Sequence, residues 1–256
     1  MGHAGTLDPA ASGLLLVLVG RATRLARFTA VLPKRYAGTV RFGAETATDD
    51  AEGAVTAADD AWRALDAAAV RRALAEVAAR GEQVPPAVSA KKVAGERAYR
   101  LARRGEAADL APVPVRIHRL EATRIALPDV EVEVECSSGT YVRAIARDAG
   151  RALGTRAHLA ALRRTGIGPW DVADAAPLEG ATAESLRAAL RPLGDAVAHL
   201  PRLEVAPEVA ERVRHGGRIE AEPVLEGPVT VSAQGELLAV AEYRDGRFAP
   251  AVVIAP

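Results

Sequence analysis

The sequence holds one cysteine, Cys136, and aromatic side chains make up only 4% of its 256 residues. A single cysteine excludes a disulfide framework and any cysteine-based zinc site. The five histidines (His3, His118, His158, His199 and His215) are scattered with no metal-ligand spacing, so no metal is expected. With so few aromatics, a core drawn from the 49% apolar residues must be built from Ala, Leu and Val. No secretory signal pattern opens the sequence, and the apolar run Leu14–Val19 is far too short to span a bilayer. The expected setting is the cytoplasm, with no membrane partner.

Net charge is also missing: 33 basic side chains balance 33 acidic ones. The charges are not evenly spread, however. Residues 1–43 carry six basic and one acidic, 83–125 nine and four, and 136–170 six and one, while 44–82 carry four and nine. Three basic blocks alternating with acidic ones allow a basic face inside a neutral total. A balanced, solvated surface explains the same counts. Thirty of the basic residues are arginine, a bias that a GC-rich genome produces without any functional cause.

Hydrophobic spacing predicts a buried strand at 14–19, a helix at 22–31 and a strand through Tyr36, Val40 and Phe42. A polar loop, "TATDDAEG", and an amphipathic helix at 66–80 follow. "VPP" at 84–86 breaks the chain, 88–93 reads as extended and 96–104 as a helix. Strands are predicted at 113–125 and 130–136. In "SSGT", a serine or threonine is expected to cap a helix at 141–153. Short helices are predicted at 156–164 and 183–190. From about residue 200, one helix at 207–214 precedes strands at 229–232, 237–243 and 251–254, separated by glycine turns. This reads as a small β-rich domain.

The stretch "GHAGTLDPAASG" at 2–13 crowds chemistry into a turn. Asp8 precedes a proline, which biases its backbone towards extended geometry, and Gly5 and Gly13 bracket it. An isolated Asp-Pro pair is more often an ordinary turn.

The combination is richer than that. The residues His3, Gly5, Leu7, Asp8, Pro9, Ala11 and Gly13 resemble the signature of bacterial TruB-type tRNA pseudouridine(55) synthases. Further similar blocks follow in family order: "KRYAGTVRFGAETATDDAEG" (34–53), "VPPAVSAKKVAGERAYRLARRGE" (84–106) and "CSSGTYVRAIARDAGRALGTRAHLAALRRTGIG" (136–168). The resemblance is strong over 2–170 and looser beyond. It implies an α+β pseudouridine synthase fold: a mixed, mainly antiparallel central sheet flanked by helices over 1–198, with a small PUA-like domain at 199–256. The family has a few dozen further residues ahead of the motif, including a sheet strand and a Lys-Pro-x-Gly turn. Without them, an unpaired sheet edge and exposed apolar surface are expected.

The resemblance also implies roles. Asp8 is the catalytic carboxylate, acting as nucleophile on sugar or base, or removing the C2′ proton; both routes stay open. Burial disfavours a charged carboxylate and an adjacent cation favours it, and Arg143 is the implied cation. Tyr36 lies against the target uracil and is a catalytic candidate for taking the C5 proton, and Tyr141 lines the same pocket. His3 fills the gap left by the flipped base, and Leu162 touches the substrate nucleotide. By pattern alone, Tyr36 and Leu162 read as core, and His3 and Arg143 as surface. Lys91, Lys92, Arg163 and Arg164 are candidates for RNA backbone contacts; a solvated basic rim is the plain alternative. The implied reaction detaches uracil at N1 and rejoins it through C5, with no redox change and no cofactor. The implied partner is the TΨC arm of tRNA, without a guide RNA, and the chain is expected to be a monomer. Two rivals remain. One is a non-catalytic RNA-binding or tRNA-folding protein; the other, a glycoside hydrolase, lacks a second carboxylate in a comparable motif.

Overall fold

The structure, a computed structural model, describes residues 1–88, 92–93, 96–97, 110–220 and 227–254. In chain order the elements are β1 (Gly2–His3), β2 (Ala11–Gly13), β3 (Val17–Leu18), α1 (Ala26–Ala30), β4 (Lys34–Phe42), β5 (Ala44–Thr46), β6 (Val55–Ala58), α2 (Ala67–Ala79), β7 (Glu82–Gln83), β8 (Lys92–Val93) and β9 (Glu96–Arg97). They continue with β10 (Val113–Pro114), β11 (Ile117–Ala126), β12 (Asp129–Cys136), α3 (Val142–Ala152), β13 (Ala157–Ile167), β14 (Trp170–Asp171), α4 (Ala183–Ala188), β15 (Arg202–Glu204), α5 (Pro207–Arg214), β16 (Pro228–Ala233), β17 (Glu236–Arg244) and β18 (Arg247–Val253).

The fold is α+β and forms two compact units. One gathers Leu7–Leu14 and Leu32–Asp174; the other gathers Met1–Thr6, Leu15–Val31 and Ala175–Pro256. Leu25 and Phe28 are buried with Ala196, Val197, Val240 and Ile254 in a core of the second unit.

The first unit is built on a six-stranded sheet ordered β11-β12-β4-β13-β14, with β2 added alongside β13. The pairing of β2 with β13 is parallel; the rest is antiparallel. β12, "DVEVEVEC", shows why this sheet has one dry face. Val130, Val132, Val134 and Cys136 are buried, while Glu131 and Glu133 are exposed, as a period of two requires. Val70, Leu74 and Val77 of α2 and Val142, Ile145, Ala146 and Ala149 of α3 pack onto that face. Spacings of three and four put each set on one helix stripe. Asp66 caps α2 by accepting from the Ala69 N–H at 2.6 Å, and Gly81, with φ +71, follows its end. The other unit holds a four-stranded sheet, β15-β16-β17-β18, with Val213 of α5 buried against Val231, Leu238 and Phe248.

Four expectations change. Residues 156–164 are not helical: Ala157–Ile167 is a strand, paired along its whole length with β4. Alanine, leucine and arginine favour helix locally, but two-sided strand pairing overrides that preference. The expected serine or threonine cap is absent, since α3 starts from Tyr141 with no side-chain cap. The β13 edge facing away from β4 carries further partners. β2 pairs with Leu162–Arg164, β14 pairs with Gly166 and Ile167, and Leu159 bonds the acidic loop through Asp49 O and Ala51 N–H. The buried strand expected at 14–19 is only Val17–Leu18, and Leu15, Val17 and Val19 are exposed, as is Val31. Of the helix expected at 96–104, Glu96–Arg97 is a strand paired with β8, and the remainder lies outside the described residues.

Candidate active site

Asp8 sits in the turn leading into β2, where the Ala11 N–H donates to the Asp8 carbonyl at 2.9 Å. β2 is seated against β13 at Leu162, Arg163 and Arg164. Only glycine fits the last of those positions. Gly13 has φ +101, and a Cβ there would lie 2.2 Å from the Arg164 carbonyl oxygen. The Leu14 N–H then donates to that same oxygen at 2.9 Å. The motif glycine therefore lets the loop bearing Asp8 lie directly on the sheet.

Arg143 arrives from the first turn of α3. Its Nη2 donates to Asp8 Oδ1 at 2.9 Å, and its Nε lies 2.8 Å from Asp8 Oδ2. The Nε–H does not align with any acceptor, so the second contact is ionic and the Nη2 bond is the directed one. The same guanidinium donates through Nη1 to the Thr48 carbonyl at 2.7 Å and through Nη2 to the Val88 carbonyl at 3.4 Å. Asp50 Oδ2 lies 3.4 Å from Nη1. The Arg143 side chain is only 6% exposed and Asp50 8%, whereas Asp8 keeps 33%. A buried cation is thus compensated on two sides, and the carboxylate of Asp8 is left partly open.

One helical turn along, Arg147 repeats the pattern. It bonds Asp49 at 2.8 Å, Asp148 at 2.9 Å and the Val84 carbonyl at 2.8 Å. Burial pushes the Asp49 carboxyl up, against the pull of Arg147 and Arg143. Successive turns of α3 therefore stitch the acidic loop and the segment after β7 onto one helix.

Tyr36, on β4 beside β13, is half-buried. Burial, chiefly, pushes its phenol up; Cys136 and Asp8 add to this, and Arg164, which is hydrogen-bonded to it, opposes. Tyr36, Arg164 and Asp8 are thus within electrostatic reach of one another. Tyr141 is half-buried, its ring centroid 6.0 Å from the Arg143 guanidinium carbon. Leu162 packs partly buried against the main core.

The remaining predicted residues separate. Arg163 is exposed. Arg164 is 1% exposed, with Nε donating to the Leu14 carbonyl at 2.7 Å. His3 is exposed on β1, in the other unit. Lys91 and the Lys92 side chain lie outside the described residues.

Two family models match the chain: TruB family pseudouridylate synthase (N terminal domain) over residues 1–142, and tRNA pseudouridylate synthase B C-terminal domain over 143–198. The chain belongs to the TruB family. It is 45% identical to the tRNA pseudouridine synthase B of Thermobifida fusca, covering 100% of this chain and 89% of that one. It is 44% identical to the protein of the same name from Bradyrhizobium diazoefficiens, over 97% of this chain and 76% of the other. Among solved structures it resembles a chain of a Cbf5-Nop10-Gar1 complex, with TM-score 0.74 at 23% identity, covering 100% of this chain and 76% of that one. A chain of an H/ACA RNP bound to a substrate RNA containing 2′-deoxyuridine gives 0.71 at 22%. These last two likenesses establish the pseudouridine synthase fold.

In this TruB family member, sequence patterning passed over Asp49, Asp50, Gln83 and Arg147. Asp49 and Asp50 read as a solvated loop, although adjacent carboxylates near the Tyr36 strand were a usable signal. Arg147 stands four residues after Arg143, on the same helix face. Gln83 carried no signal at all. No helix among the described residues is long and apolar enough to cross a membrane.

Proposed function

We propose that this chain isomerises uridine 55 in the TΨC arm of tRNA to pseudouridine, acting without a guide RNA, as a cytoplasmic monomer. The observation that carries the reading is the Asp8–Arg143 pair: a carboxylate one-third open, held by a guanidinium that is itself buried. Family membership supplies the reaction.

The chemistry breaks the N1–C1′ bond and forms a C5–C1′ bond. The C5 proton is released and N1 gains one, so no oxidant and no net water are needed. Asp8 acts at the sugar or base carbons, and Arg143 holds its charge and orientation. Tyr36, whose phenol burial pushes further up from its ordinary value, serves as the wall against which the everted uracil stacks. Tyr141 and Leu162 line the same space, and His3 fills the gap in the RNA. Extruding a base costs a few kcal/mol, and an aromatic stack returns about 1–3 kcal/mol. Contacts to the RNA backbone, with Arg163, Lys91 and Lys92 as candidates, offset the rest.

The test is a tRNA-arm transcript tritiated at uridine C5. The unmutated chain should release tritium; Asp8→Asn should stop release and still bind RNA. Binding without release by the unmutated chain would favour a non-catalytic RNA-binding protein instead.

A further inference from the structure

The helix that presents Arg143 lacks the cap its sequence advertises. α3 begins at Val142, its N-cap is Tyr141, and no side chain of the "SSGT" stretch bonds its first turn. Four N–H groups open every helix without intrahelical partners, and an uncapped first turn frays. Arg143 occupies the second position of that turn, so fraying there moves the guanidinium off Asp8.

A residue distant in sequence takes up the role. Gln83 is 4% exposed, and both halves of its amide are spent on one residue. Its Nε2 donates to the Tyr141 carbonyl at 3.0 Å, and the Tyr141 N–H donates to its Oε1 at 2.9 Å. In a capping box, a Glu or Gln three residues into the helix bonds back to the N–H of the cap residue. Here the same bond comes from another strand, and a second bond holds the carbonyl that also accepts from Ala144 and Ile145 N–H. Gln83 is itself fixed by its pairing with Val113 and by the Val115 N–H bond to the Gly81 carbonyl.

We infer that Gln83 is a positioning residue for pseudouridine formation: its amide clamps the Tyr141 backbone, and so sets both the Tyr141 ring and the Arg143 guanidinium against Asp8. The inference rests on the proposed function for its catalytic half. The clamp itself is a statement about the chain alone.

Gln83→Met keeps the length of the side chain and removes both bonds; Gln83→Glu keeps the acceptor and removes the donor. Two measurements separate the layers. Amide hydrogen exchange in the Met variant should rise about tenfold or more over Tyr141–Ala144, with protection kept over Ala146–Gly150. Single-turnover pseudouridine formation on the tRNA-arm transcript, at saturating enzyme, should fall about 10- to 100-fold with the RNA Kd within about threefold. In an Arg143→Lys background the same substitution should cost less than about threefold, because its route is already cut. Unchanged first-turn exchange overturns the clamp, and an equal loss in both backgrounds overturns the positioning role. If the Met variant fails to fold, the Glu variant decides: slower turnover at unchanged Kd supports the role, and full activity defeats it. If the unmutated chain makes no pseudouridine, the proposed function fails, and the clamp is judged on exchange alone.

Discussion

Asp8 and Arg143 are separated by 135 positions in the chain, yet their side chains meet at 2.8–2.9 Å. Each is delivered by a different element: a turn pinned to β13, and the first turn of α3. A planar fork is what lets one side chain serve Asp8, the Thr48 carbonyl and Asp50 together. A lysine is a point charge with no such geometry. Arg143→Lys should therefore fold, bind RNA, and lose about 100-fold or more in single-turnover rate. A loss under tenfold would mean that charge alone suffices.

Gly13 supplies the other half of that meeting. A methyl group there meets backbone atoms of Arg164, the nearest at 2.2 Å, and neither strand can yield locally. Gly13→Ala should cost about 2–4 kcal/mol of stability, combining left-handed strain with the lost close approach. Gly20 is the control: its φ is +59 and nothing lies within 4 Å of an added Cβ, so Gly20→Ala should cost about 1 kcal/mol. Equal losses in urea denaturation would remove the case for close approach.

Much of this fold is legible in the sequence. β12 declares itself because a two-residue period has one physical explanation, a half-buried strand. Asp8 stands out through its proline and bracketing glycines together with the family blocks that follow. β13 does not declare itself, since its Ala, Leu and Arg favour helix and only pairing with β4 and β2 makes it a strand. That error propagates to Arg164. Alternation on a strand exposes Arg163 and buries Arg164, whereas a surface helix would have left both outside. Gln83 and Arg147 act through contacts made 58 and 98 positions away, and no local pattern encodes such partners. The membership of 15–31 in the second unit is likewise set by packing, not order.

Asp49 and Arg147 form a buried pair in which desolvation outweighs attraction, as the raised Asp49 carboxyl indicates. Removing one partner should be worse than removing both. Arg147→Met, which leaves Asp49 charged without its main partner, should cost about 3 kcal/mol. Adding Asp49→Asn should restore most of that; asparagine also tolerates the φ of +60 at this position. The measurement is a double-mutant cycle in urea. Additive losses would mean that the two side chains act independently, and would overturn the prediction.

Lys34 makes stability depend on alkaline pH. Its side chain is buried, with Nζ donating to the Leu32 carbonyl at 2.7 Å. Burial first, and the Arg164 charge second, bring its ammonium down from 10.5 to about 8, while Cys136 opposes weakly. The sign follows from which state holds the proton. Between pH 8 and 10.5 the unfolded chain keeps it more often than the folded one, so this group's contribution to stability rises with pH across that window. Below pH 8 the folded state bears the full cost of a buried charge. Lys34→Met should therefore be more stable than the parent at pH 7, by about 1–3 kcal/mol. The advantage should shrink steadily from pH 8 to 10.5. Comparing the two proteins at each pH cancels the titrating groups that do not interact with Lys34; Cys136, which does, has its thiol raised to about 11, above this window. A gap that stays constant from pH 7 to 10.5, or a variant less stable at pH 7, would show that Lys34 is held by partners strong enough to outweigh its desolvation.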